Sequence, residues 1–167
     1  MRNQNPQQAL NKVLLKTVFC YLLTLPVFAA NLSIPAKSES EQVMRELRFL
    51  KPRNTADIII QIEVADTPST RSAGLQDRIG LGKDQGMLFV FPEEAPLKFW
   101  MKKTLIPLDI IYVSDDYKIV DIIPDAQPCT ESPCMIYPST GKCRYAIEVN
   151  AGFIKINDIK VGDKVGF

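Results

Sequence analysis

Over residues 57–65 the chain alternates with a period of two. Ile58, Ile60, Ile62 and Val64 share one face, Asp57, Gln61 and Glu63 the other, and Ile59 is the exception. β-Branched residues in this pattern predict a half-buried strand. Thr67 and Pro68 suit a helix cap and a first helical position, so a short helix is expected over residues 68–75, with Gly74 near its end. Residues 86–91 are apolar throughout, as in a strand buried on both faces. Residues 92–96, with Pro92 and Pro96, read as a turn, and residues 98–103 as the next strand. Residues 108–113 are apolar except for Asp109. Residues 114–117 read as a turn, and the chain returns as a strand over residues 118–123.

The remainder is less regular. Residues 124–142 carry Pro124, Pro128, Pro133 and Pro138 and read as a long loop. Residues 144–150 alternate again, Tyr145, Ile147 and Val149 against Arg144, Glu148 and Asn150. Residues 153–159 fit either a short helix or an irregular strand, and residues 160–165 a turn and a closing strand. Upstream, Ser38-Glu39-Ser40-Glu41 has the form of a capping box. Val43, Leu47 and Leu50 then share one helical face, which predicts a short amphipathic helix within a linker over residues 30–56. Short strands without intervening helices point to antiparallel neighbours. The expected fold is mostly β, at the margin of α+β: a small antiparallel β-barrel-like domain with short helices over residues 57–167.

The N-terminal pattern changes the picture of compartment. Arg2, Lys12 and Lys16 precede an apolar run ending near Ala30, and Val27 and Ala29 suit a cleavage site after Ala29. Residues 1–29 therefore read as a secretory signal peptide. The alternative is an uncleaved membrane anchor, although the run is shorter than the ~20 residues of a spanning helix. The expected location is periplasmic or secreted. The whole chain has 20 Lys and Arg and 19 Asp and Glu; the signal holds three basic residues and no acid, leaving the rest near −2. No basic stripe is present, which disfavours nucleic acid as a partner.

Histidine is absent. That excludes a Ser-His-Asp triad, a Cys-His dyad and imidazole-ligated zinc. An enzyme would have to use carboxylates, lysine, tyrosine, cysteine or a bound cofactor, and nothing in the sequence calls for a cofactor. Met87, Met101, Met135 and the cysteines are soft ligands, but no Met-x-x-Met cluster occurs and no metal site is expected. Cys129 and Cys134 lie in a proline-rich loop of an exported chain and are expected to pair as a structural disulfide. A redox pair is the alternative. Cys143 is left either buried or as another partner for Cys134.

Residues 99–109 concentrate the remaining chemistry. They hold the one tryptophan of the chain, Trp100, beside Lys102 and Thr104. As a strand, these three share a face, an apolar wall with polar donors suited to a sugar or an acidic group. The alternative is that Trp100 packs in the core while Lys102 snorkels. Asp109, if buried, needs a partner, and Lys102 or Lys103 would serve. Arg71 faces either solvent or the domain. The candidate ligand-binding set is Trp100, Lys102, Thr104, Asp109 and Arg71; no catalytic residue is assigned.

Several stretches together resemble a known family. They are Glu63-Val64-Ala65-Asp66-Thr67-Pro68, Arg71, Gly74-Leu75, Gly86 through Pro92, and Phe99-Trp100-Met101-Lys102. Thr104 through Asp109, Pro128-Cys129-Thr130, Pro133-Cys134, Tyr145 through Gly152 and Val161-Gly162-Asp163 complete the series. This ordered set is similar to the domain of unknown function 192 family. The resemblance implies a small, mostly β, barrel-like domain, often exported, in bacteria and archaea, and implies no reaction. This chain departs from the family at Lys103, where Asn is frequent, and at Asp115-Asp116-Tyr117, where an Asp-Gly type of turn is usual. Residues 153–157 are more β-branched than the helix the family implies. Two hypotheses follow: a non-catalytic envelope module binding a small ligand, a saccharide among the candidates, or a partner protein; or a histidine-free enzyme using Lys102, Asp109 or another carboxylate. A purely structural envelope protein is the third.

Overall fold

The computed structural model describes residues 44–51 and 55–167. Its elements, in chain order, are β1 (Arg45–Leu50), β2 (Ile58–Ala65), α1 (Pro68–Ala73), β3 (Gln85–Trp100), β4 (Leu108–Val113), β5 (Ile119–Ala126), β6 (Ile136–Asn150), α2 (Phe153–Ile156) and β7 (Lys164–Gly166). The strands form one sheet in the order β5-β4-β6-β3-β2-β1-β7. The sheet curls until Lys118, just before β5, bridges Lys164 of β7. There the Ile119 N–H donates to the Asp163 carbonyl at 2.8 Å and the Val165 N–H to the Tyr117 carbonyl at 3.0 Å. Among the described residues the fold is thus mostly β, a half-barrel with two short helices.

Both faces of the sheet are covered. The inner cluster draws on all seven strands, including Leu47, Ile60, Leu88, Ile111, Ile119, Ile147 and Val165, and is plugged by Phe153 and Ile154 of α2. Each such side chain contributes roughly 1.5–3 kcal/mol of burial. The outer face carries Met87, Phe89, Ile110, Tyr112 and Ala146, covered by Leu75, Leu97 and Met101.

One pair of neighbours, β2 and β3, runs parallel, with Ile62 opposite Gly86 and Val64 opposite Leu88. This departs from the all-antiparallel expectation. A parallel pair cannot be joined by a tight hairpin, so residues 66–84 cross the outer face and carry α1 with them. Thr67 caps α1 with a full capping box, and Pro68 opens it, as the sequence suggests. The same crossover brings Arg78 to the buried Glu63, which it holds through two parallel hydrogen bonds. The Glu63 partner raises the Arg78 pKa further.

Four sequence expectations need correction. Residues 45–50 form a strand, not part of a helix. Leu47 and Phe49 are buried in alternation while Leu50 is exposed. β1 lies between β2 and β7, with Leu47 opposite Ile60 and Phe49 opposite Val165. Pairing on both edges outweighs a helical spacing carried by three residues, and the β domain begins before residue 57. Residues 92–96 are not a turn but the middle of β3, where the pairing with β6 shifts register between Val90 and Ala95 and again between Pro96 and Lys98. Proline is tolerated in strands at such irregularities. The expected loop at residues 124–142 shrinks, since β5 continues to Ala126 and β6 begins at Ile136. The strand expected over residues 98–103 ends at Trp100. The residues assigned to the signal peptide and to the capping box at 38–41 lie outside the described residues.

Candidate functional site

β3 leaves the sheet at Trp100, and a tight turn follows. The Thr104 N–H donates to the Met101 carbonyl at 3.1 Å, and Lys103 takes a left-handed conformation with φ 59°. The Lys103 carbonyl accepts from the Asp77 N–H at 2.8 Å, tying this turn to the crossover. On its other side Lys102 bridges Cys129, whose N–H donates to the Met101 carbonyl at 3.0 Å. Cys129 and Cys134 form the expected disulfide. The loop it closes is thereby fixed against the Trp100–Thr104 segment. Cys143 is free and buried, and burial pushes its thiol pKa up.

Above this turn the crossover and β3 enclose a pocket of about 200 Å³, lined among others by Arg71, Lys98, Trp100, Lys102, Thr104 and Glu148. That volume is below the roughly 300–1,000 Å³ typical of sites for drug-sized ligands, so it suits a molecule of few heavy atoms. Trp100 is neither core nor free surface: 51% of it is exposed, and the Lys102 ammonium sits over its ring at 5.4 Å. Phe91 and Phe99 are half-buried, and the Arg71 guanidinium lies over Phe91 at 5.2 Å. Arg71 faces the domain. Its Nη1 donates to the carbonyls of Asp66 at 2.5 Å and Val90 at 2.8 Å, which immobilises the group without neutralising it. Among the described residues, Arg71, Lys98 and Lys102 take part in no ion pair.

Glu148 is the lining residue that sequence reasoning missed. It is 5% exposed and lies on β6 between Met87 of β3 and Ile110 of β4. Burial alone pushes its pKa up to about 8, so at neutral pH it is mostly a protonated acid. The nearby Tyr112 phenol is pushed up chiefly by burial and donates to the Tyr137 carbonyl at 2.6 Å.

The pocket therefore unites four of the five candidate residues, Arg71, Trp100, Lys102 and Thr104. Asp109 is not among them. It is fully buried, and its partner is neither Lys102 nor Lys103. Its carboxylate accepts from the backbone N–H groups of Asp125 at 2.8 Å, Gly152 at 3.2 Å and Ile154 at 2.8 Å. Three amides supply what a cation would otherwise supply. Asp109 joins β4 to the end of β5 and to the start of α2.

The family described as Uncharacterized ACR, a domain of unknown function, matches residues 50–167. The chain belongs to the domain of unknown function 192 family. Two solved structures are similar to this family member. A protein of Sinorhizobium meliloti 1021, described as a candidate transcription regulator, is 32% identical with a TM-score of 0.70, covering 77% of this chain and 96% of its own. A protein of unknown function from Novosphingobium aromaticivorans DSM 12444 is 31% identical with a TM-score of 0.68, covering 74% and 85% respectively. No curated protein matches the chain. Two of the departures from the family, at Lys103 and at Tyr117, fall at left-handed positions, with φ 59° and 62°. Asn and Gly are the residues that adopt that conformation at least cost.

Proposed function

We propose that this domain is a non-catalytic binding module of the cell envelope, taking a small anionic ligand of the carboxylated-saccharide class beside Trp100. The observation that carries the reading is the set of three cations, Arg71, Lys98 and Lys102, lining one small pocket without a carboxylate partner among the described residues. Unopposed positive charge in a concave, partly apolar site concentrates anions. The half-exposed face of Trp100 offers a surface on which a sugar ring can stack. Export is supported by the N-terminal pattern and by the disulfide, which persists in oxidising compartments. Among the described residues no helix is long and apolar enough to cross a membrane.

A second reading, a histidine-free acid–base enzyme, is favoured by one fact: the Glu148 carboxyl at about 8 shares the pocket with Lys102. Yet among the described residues Glu148 is the one carboxylate lining that pocket. Most glycoside hydrolysis needs a second carboxylate as base or nucleophile, so the binding reading is preferred. The description of one neighbour as a regulator is not carried over, because a charge near −2 outside the N-terminal segment offers little attraction for nucleic acid.

Calorimetric titration of the protein with D-glucuronate and with D-glucose tests this reading. Glucuronate is expected to bind at least about tenfold more tightly, and Arg71→Ala to weaken it by a similar factor. Equal affinity for the neutral sugar, or indifference to Arg71→Ala, would refute the anion site. Turnover of an aryl glucuronide that vanishes in Glu148→Gln would establish the enzyme instead.

A further inference from the structure

Two buried carboxylates face the same side of the sheet in one row. Glu63 of β2 lies opposite Met87 of β3, and Met87 lies opposite Glu148 of β6. Two strand spacings separate them, roughly 10 Å. The fold supplies Glu63 with a dedicated arginine, Arg78. It supplies Glu148 with none: among the described residues no ion pair includes it. Burial is what pushes its pKa up. A carboxyl that is 5% exposed and, among the described residues, outside any ion pair is costly to keep. It also borders the pocket, where an incoming group can reach it.

We propose that Glu148 is the specificity residue of this pocket, a neutral acid that donates a hydrogen bond to an oxygen at the buried end of the ligand. This rests on the anion-binding reading and narrows it. The ligand class becomes a hydroxy acid or uronic acid, its carboxylate toward Arg71 and Lys102 and a hydroxyl or carbonyl oxygen toward Glu148. The ionised form of Glu148 can no longer donate, and it repels the same anion. The other charged groups that line the same pocket are Arg71 of α1, Lys98 of β3 and Lys102 after β3; Tyr112 of β4 lies on the same face of the sheet, with the Glu63–Arg78 pair further along the row. The uronate carboxylate keeps its charge at both about pH 6.5 and about pH 9, so the charge of the ligand is the same at the two.

The experiment is calorimetric titration of the full chain with D-glucuronate at those two pH values, for wild type, Glu148→Gln and Glu148→Met. Wild type is expected to lose affinity by roughly tenfold between them. Glu148→Gln keeps a donor and cannot ionise, so its affinity at the lower pH stays within about threefold of wild type and its pH dependence disappears. Glu148→Met, apolar and of similar length, binds weakly at both. Near-ultraviolet circular dichroism of each variant reports whether it is folded. An equal decline in wild type and Glu148→Gln, or none in wild type, overturns the role of Glu148 while leaving the Arg71-dependent anion site in place. Failure of wild type to bind at either pH overturns both.

Discussion

Asp109 and Glu148 are neighbours on adjacent strands, Asp109 opposite Val149 and Glu148 opposite Ile110, yet they face opposite sides of the sheet. Asp109 looks into the barrel and accepts three backbone hydrogen bonds. Glu148 looks outward into a pocket and, among the described residues, takes part in no ion pair. Both are buried acids, and burial by itself assigns no role to either. What separates them is how far their hydrogen-bonding capacity is met. The first is a joint that fastens α2 to the sheet. The second keeps a polar group ready beside three cations and a half-exposed tryptophan, at a cost in stability.

The largest effect expected is at the joint. Asp109→Ala removes three charge-assisted hydrogen bonds and strands three amides, so a loss of about 3–5 kcal/mol is expected in a denaturant titration. A loss below about 1 kcal/mol would show that the two acids do not differ in this way. At the pocket the effect is one of pH. The unfolded chain releases the Glu148 proton near the ordinary value of 4.5, whereas the folded protein holds it until about 8. The stability from this group is therefore whole below the lower value, declines as pH rises between the two, and is gone above the higher. The total is on the order of 2–4 kcal/mol, allowing for local relaxation. Glu148→Gln should abolish that decline and exceed wild type in stability above the upper value, as melting curves at stepped pH would reveal. A wild-type curve that tracks Glu148→Gln across this range would mean that Glu148 has found a partner. The smallest effect concerns the backbone beneath the pocket. Lys103→Asn relieves a left-handed lysine and should stabilise by roughly 0.5–1 kcal/mol; an unchanged melting point would show that its φ of 59° carries no cost there.

The parts that local chemistry dictates were legible in the chain. β2 declares itself by alternation and α1 by Thr67-Pro68. The cysteine pair was readable from compartment and spacing, and the family from an ordered series of short stretches. What escaped depends on distant partners. Leu47 and Leu50 obey a helical spacing while Leu47 and Phe49 obey a strand spacing, and only the strands on either side decide between them. Pro92 and Pro96 look like a turn until β6 is seen to run beside them with shifted register. Asp109 was singled out correctly as an oddity in an apolar strand, but its partners are amides, which carry no signature in side-chain type. The alternation sets Glu148 with Arg144 and Asn150 against Tyr145, Ile147 and Val149, and nothing local announces that the crossover will cover it. One signal was available. Tyr145, Ala146, Ile147 and Val149 surround it so closely that residues 145–149 read as a strand buried on both sides.

The pairing of β1 with β7 has a consequence for the order of events in folding. The first and last strands described lie side by side, with Phe49 opposite Val165. Nearly the whole described chain must be available before that contact can form, and the entropy of closing so long a loop is met only at the end. Until then β1 has one paired edge, and Leu47 and Phe49 lack the cover that β7 gives. A chain threaded through a membrane from its N-terminus would deliver the closing strand last. The half-barrel would then complete itself only once β7 has emerged, and deleting β7 would leave a raw strand edge where the seam should be.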